Sequence, residues 1–295
     1  MGRIAMAHLP LFIAEASSNR ARDLSRALAF VDAAADAGCV AVKFQLFKID
    51  RMFAPEILAQ SAKHRARREW ELPPDHLAPL AARCRERNIQ FSCTSFYLEA
   101  VDELRPYVDF YKVASYELLV TPPLETCART GKPVVLATDM AAMDEIRRAV
   151  ATLRRAGAAD ITLLHCVSAY PTPPEEANLS AIAAIREATR CATGWSGHTR
   201  KASVIERAVH KWGAEAVEFH LDLDGKGAEY ASGHCWLSQE IMPVIARFGE
   251  AVSADGTSFK GPQPSELSDR GWRADLADGI RQLRTILAAW KPEAA

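Results

Sequence analysis

The chain has 295 residues, 49% hydrophobic and 25% charged, with a formal net charge of −1. That balance belongs to a folded globular protein and excludes the global field of a nucleic-acid or anionic-membrane binder. Residues 9–16, the longest early apolar stretch, contain Pro10 and Glu15 and are too few to span a bilayer. They also lack the basic flank of a signal peptide, so the expectation is a cytoplasmic protein with no membrane or nucleic-acid partner. Seven cysteines (39, 84, 93, 127, 166, 191, 235) form no CxxC pair and read as reduced, mostly buried residues. Cys166 and Cys235 each neighbour a histidine, which keeps a nucleophile or soft-ligand reading open for them.

Eight short apolar runs follow one another along the chain: residues 11–14, 40–44, 89–93, 108–113, 133–137, 161–165, 192–195 and 216–220. Each has the length and near-continuous hydrophobicity of a parallel strand buried on both faces. Helical periodicity fills the gaps. Residues 21–37 carry Leu24, Leu28, Val31 and Ala35 on one stripe. Residues 73–88 open with two prolines and Asp75, and 144–157 end on glycine. Gly38, Gly131, Gly157 and Gly213 each precede a strand by a few residues, where a helix-to-strand turn calls for a left-handed residue.

Eight such units predict an α/β fold, a (β/α)8 TIM barrel over residues 1–255, with 256–295 as a tail and final amphipathic helix rather than a second domain. The competing doubly wound sheet normally has a glycine-rich turn after its first strand, and residues 15–19 contain no glycine. Residues 46–72 are too long for a plain loop and suggest a lid or a subunit contact, with the tail as a second candidate surface for a homodimer.

Polar residues gather at the strand ends, where barrels keep their chemistry. Lys43 and Gln45 are two apart and share a face, as do Glu218 and His220. Lys43 and Lys112 lie inside apolar strands, where a charge is costly unless it meets an anion. They pair either with Glu15 or Glu218 or with a bound phosphate or carboxylate, to which Thr94, Ser115 and Ser196 would add hydroxyls. His198 and His220 end adjacent strands and could share a divalent ion with open positions, a catalytic pattern. His234 follows strand 8 as a substrate contact, and His165, inside its strand, reads as structural.

Several of these motifs together resemble the sialic acid synthase family. They are Ala14-Glu15-Ala16-Ser17-Ser18-Asn19, Val42-Lys43-Phe44-Gln45, Tyr111-Lys112-Val113-Ala114-Ser115 with Glu117, Leu163-Leu164-His165-Cys166 with Tyr170-Pro171, Ser196-Gly197-His198-Thr199 and Glu218-Phe219-His220. The resemblance implies a synthase that condenses phosphoenolpyruvate with an N-acylmannosamine-like amino-sugar aldose, forming a nonulosonic acid and phosphate. It implies manganese or magnesium on His198 and His220, and phosphoenolpyruvate on Lys43, Thr94, Lys112, Ser115, Ser168 and Ser196. Glu15, Gln45, Glu117 and Tyr170 would serve the sugar or the attacking water, with Glu229 and His234 as further substrate contacts. The sequence departs from the family pattern at Gly197, Asp139 and residues 231–234, and the family's C-terminal antifreeze-like domain is not expected here. A barrel that binds the same ligands without turnover, and a metal-dependent hydrolase or isomerase, are the alternatives.

Overall fold

A computed structural model describes residues 9–287, 289 and 291. Residues 1–8, 288, 290 and 292–295, the ends of the two expected segments, lie outside the described residues. The chain divides into two compact units, residues 1–252 and 253–295.

The first unit is a closed barrel. Its strands are β1 (Leu11–Ala16), β2 (Ala41–Leu46), β3 (Gln90–Ser95), β4 (Phe110–Val113), β5 (Val134–Ala137), β6 (Ile161–Cys166), β7 (Ala192–Gly197) and β8 (Ala216–Asp222). All pair in parallel and in sequence order, and β1 closes on β8 over six residue pairs. Closure excludes the open doubly wound sheet. Each of the eight apolar runs is a strand, most of them extended by a residue or two into the polar C-terminal end. A ninth short strand, β9 (Cys235–Leu237), pairs with the upper part of β8, where β7 has already ended.

Parity along the strands sorts the side chains. In β2, Val42, Phe44 and Leu46 face outward into the core shared with the helices, while Ala41 faces inward. In β8, Val217, Phe219 and Leu221 face the helices and Ala216 the interior. Ile13, Ala41, Phe110, Val135, Leu164 and Ala216 form a small apolar floor inside the barrel. The period of two then fixes what stands above it. Glu15, Lys43, Lys112, Cys166, Glu218 and, one step higher, Gln45 and His220 point into the mouth.

The helices begin and end where local chemistry dictates. The stripe expected over residues 21–37 forms Leu24–Asp36, because Asp23 caps it, accepting from Ser25 N at 2.8 Å. The prolines at 73 and 74 introduce a 3-10 turn over Pro74–His76 before helix Leu77–Glu86. Helix Met143–Arg155 is followed by Gly157 at φ +102°, and Gly38, Gly131 and Gly213 are left-handed too.

Residues 46–72, too long for a plain loop, hold short helices at Ile49–Met52, Pro55–Gln60 and Ala62–Ala66 with a 3-10 turn after them. One expectation needs correction: in the second unit, the expected final helix is reduced, among the described residues, to Arg284–Leu287. Asp275 and Asp278 accept hydrogen bonds from the backbone two residues on, at Ala277 and Ile280, and Gly279 is left-handed. These local bonds compete with the helical ladder and break the run. Among the described residues, no helix is long and apolar enough to cross a membrane.

Gly194 in β7 stands hard against residues of both neighbouring strands, β6 and β8. A Cβ there would lie 2.3 Å from the Ala216 carbonyl oxygen and 2.7 Å from Leu164 Cδ2. Gly157 is left-handed with open space around it. Urea unfolding should therefore separate two substitutions: Gly157→Ala costs about 1 kcal/mol for its backbone alone. Gly194→Ala costs ~2 kcal/mol or more, because the barrel wall must move.

Candidate active site at the barrel mouth

The register of the strands builds the site. Glu15 stands beside Lys43 on one side and His220 on the other. Lys43 is level with Ser92, Gln45 with Thr94, Thr94 with Lys112, and Ser196 with Glu218. Four charged groups meet in this layer, with relative exposures of 6% for Glu15, 2% for Lys43, 3% for Lys112 and 2% for Glu218. Lys43 Nζ lies 2.8 Å from Glu15 Oε1 and 3.9 Å from Glu218 Oε2, and Lys112 Nζ lies 3.5 Å from Glu218 Oε1. Lys43 also donates to Thr94 Oγ1 at 3.3 Å, Ser196 Oγ to Glu218 Oε1 at 3.0 Å, and Gln45 Nε2 to Glu15.

The result is an alternating chain of charge, Glu15–Lys43–Glu218–Lys112. Burial alone would raise the Glu15 carboxyl, but Lys43, His220 and Lys112 outweigh it and hold it far below the usual carboxylate range. Burial would likewise lower Lys112, yet Glu218 and Glu15 hold it above its ordinary value. Of the two sequence readings of the strand lysines, the internal ion pairs are present. They leave both ammonium groups on the wall of a cleft of about 200 Å³.

That cleft brings together Glu15, Lys43, Gln45, Thr94, Lys112, Ser115, Tyr170, Ser196, His198 and His220. Four other expected residues do not line it. Ser168 stands behind it, donating to Asp139. Glu117 lies in the turn after β4 with Oε2 buried and unpartnered. Glu229 and His234 sit beside His220, next to β9. His165 bonds the Ala177 carbonyl through Nε2 at 3.0 Å and packs against Trp195.

Asp139, at the end of β5, lines the cleft and was not among the expected site residues. Burial would raise its carboxyl, but hydrogen bonds from Cys166, Ser115 and Ser168 outweigh that and hold it low. Cys166 Sγ donates to Asp139 Oδ1 at 2.7 Å. Burial, with Asp139 adding to it, pushes that thiol well above its ordinary value, which keeps the S–H proton that this bond to Asp139 uses. A polar residue directly after an apolar strand was the available sequence signal.

Three imidazoles cluster at the upper rim. Ring centroids are 5.2 Å apart for His198 and His220 and 5.1 Å for His220 and His234, and Tyr170 stacks on His198 at 3.9 Å. Burial pushes His220 down to about 3 and His234 to about 4, and lowers His198. All three are therefore neutral near pH 7, the ligating form. His198 Nδ1 donates to the Val167 carbonyl at 2.7 Å, which leaves Nε2 its lone pair. His220 has Nε2 against Glu15 Oε2 at 3.4 Å and Nδ1 buried without a hydrogen-bond partner. This donor set fits a divalent cation.

The chain matches the sequence profile of the NeuB family over residues 30–260 and belongs to that family. It is 34% identical over 225 residues to the spore coat polysaccharide biosynthesis protein SpsE of Bacillus subtilis, covering 73% of this chain and 60% of that protein. With the N,N'-diacetyllegionaminic acid synthase of Campylobacter jejuni the identity is 35% over 269 residues, 87% of this chain and 80% of that one. The crystal structure of N-acetylneuraminic acid (sialic acid) synthetase from Leptospira borgpetersenii, in complex with citrate, is similar with a TM-score of 0.77 at 28% identity. It covers 91% of this chain and 93% of that chain.

Two predictions follow from the charges. Lys43→Met takes the close ammonium partner from Glu15 and leaves Glu218 with Lys112 alone, and should cost about 3–5 kcal/mol in denaturant unfolding, the penalty of an uncompensated buried charge. Burial pushes Glu117 up to about 7, with Lys112 opposing and Asp139 adding. Between pH ~4.5 and ~7 the folded state then binds the proton that the unfolded state has lost, so this residue's contribution to stability falls as pH rises. Glu117→Gln should remove that fall, seen as a stability difference between variant and wild type that grows in the variant's favour from pH 5 to pH 7.5.

Proposed function

We propose that this NeuB-family chain is a phosphoenolpyruvate-dependent synthase that joins the three-carbon donor to the open-chain aldehyde of an N-acylmannosamine-like amino sugar, forming a nonulosonic acid and phosphate. The observation that carries the reading is the pair of buried ammonium groups, Lys43 and Lys112, on the wall of one cleft with Thr94, Ser115 and Ser196. Two fixed cations and three hydroxyls suit a small phosphorylated carboxylate. Relatives support the class: two of the proteins described above are named as synthases of legionaminic and sialic acids. The Leptospira enzyme also holds citrate, a polycarboxylate.

Charge balance in the cleft shapes how the donor would be held. The two lysines offset Glu15 and Glu218, and Asp139 leaves the fixed groups one negative charge in excess. A polyanionic donor entering this cleft therefore needs further positive charge. His220, with His198 beside it, would hold a divalent ion such as manganese or magnesium, which supplies that charge and polarises the aldehyde oxygen as a Lewis acid.

The chain's own groups then divide the work. Lys43 and Lys112 steady the donor's negative charge while its carbon–oxygen bond to phosphate breaks, an electrostatic role that is strongest where water is excluded. Thr94, Ser115 and Ser196 orient the donor, with Ser168 acting through Asp139. The Glu15 carboxylate, fixed by Gln45 and Lys43, stays ionised and orients the attacking water by accepting a hydrogen bond from it. Tyr170, half-exposed against His198, faces the acceptor's entrance, and Glu117, Glu229 and His234 surround the acceptor side.

Phosphate release from phosphoenolpyruvate, assayed across a panel of N-acyl hexosamines with manganese, tests the reading. Release with a mannosamine-type aldose, abolished by chelation and restored by added manganese, is the expected result. No release with any aldose overturns the synthase. Donor binding without release would point instead to the non-catalytic binding barrel, for which the Asp139 carboxylate in the donor corner is the specific observation.

A further inference from the structure

The corner of the cleft formed by the ends of β4, β5 and β6 holds a carboxylate with no cation of its own. Asp139 lines the cleft and is 4% exposed. Among the described residues it forms no ion pair, and Lys112, whose ammonium feels its charge, sits with Glu218 at 3.5 Å. A bare anion is an unexpected wall for a cleft that otherwise suits an anionic ligand. What Asp139 can do there follows from counting its protons and lone pairs.

Cys166 Sγ donates to Oδ1 at 2.7 Å, Ser168 Oγ donates to Oδ2, and the Ser115 hydroxyl donates as well. These donors hold the carboxylate ionised and fix its direction. A carboxylate offers about four lone-pair sites, so about one is left for a ligand. Ser115 has given its one proton to Asp139, so toward a ligand its oxygen can only accept. Asp139 and Ser115, both on the cleft wall, therefore present acceptors side by side. An ionised ligand oxygen brought against them meets like charge and lone pairs. A ligand O–H meets a strong, charge-assisted acceptor.

We propose that Asp139 is a specificity-determining residue, which admits a phosphoryl group that carries a proton and rejects a fully ionised oxyanion by accepting a hydrogen bond from the ligand's P–O–H. This rests on the reading that the cleft takes a phosphorylated donor, and it names the protonation state in which that donor is held. Lys43 and Lys112 meet the charged oxygens, and Asp139 meets the protonated one. The selection is repulsive as much as attractive. Against an oxygen without a proton, the buried carboxylate keeps an empty lone pair and faces a like charge.

Hydrogen phosphate and sulfate test this, because in mildly alkaline solution both are tetrahedral dianions of similar size that differ by one O–H. Lys112, Glu117 and Glu218 then act on both alike. Each anion is titrated calorimetrically into the full chain with magnesium present and without donor or sugar. Wild type should bind phosphate at least ~100-fold more tightly than sulfate, as a site built around a ligand O–H does. Asp139→Asn, whose amide can donate, and Asp139→Ala, which frees the Ser115 and Ser168 hydroxyls, should each bring that ratio below ~10-fold. Both variants are checked by circular dichroism, and either one that folds decides the point. Sulfate bound as tightly as phosphate, no phosphate bound to wild type, or a preference that survives in a folded variant overturns the proposal. Because neither phosphoenolpyruvate nor sugar is present, a failed phosphate-release assay would leave this result standing, and the reverse also holds.

Discussion

Lys43 cannot be solvated where it sits, and the barrel mouth is organised around that fact. Its ammonium lies between Glu15 and Glu218, and Glu218 in turn holds Lys112. Each member compensates its neighbours, so none can be removed without leaving a charge in a low-dielectric interior. The same constraint gives the site its stiffness. Glu15 is fixed by Lys43, Gln45 and His220, and Ser196 and Thr94 are fixed by members of the charge chain.

Strand register turns this local chemistry into a site. Because side chains alternate with a period of two, one shift of register would send Lys43 and Glu218 into the helix-facing core and bring Phe44 and Phe219 inward. The apolar floor and the outer core therefore enforce the polar layer above them. Stability and function are coupled here through geometry, since the residues that keep the barrel in register are those that aim its charges.

Much of this was legible in the sequence because it is local or periodic. The eight apolar runs mark the strands, and the pairs Lys43/Gln45 and Glu218/His220 share faces by spacing alone. What escaped depends on contacts distant in sequence or on competing short-range bonds. Asp139 lines the cleft only because β5 sets it against Cys166, Ser115 and Ser168. Cys235 and His234 meet His220 only because β9 folds back onto β8. The helices within residues 46–72 carry no long apolar stripe to announce them. In the tail the stripe was present, but aspartate side chains and a left-handed glycine broke the helix it predicted.

The central claim is that the buried ammonium groups, held ready by carboxylates, form the donor-anion site. Calorimetric titration of phosphoenolpyruvate into manganese-loaded wild type and Lys112→Met, each checked for folding by circular dichroism, tests it most directly. The account predicts a loss of affinity of about a hundredfold in the folded variant, as expected for removing one partner of a desolvated charge contact. Equal affinity in the two proteins would contradict it.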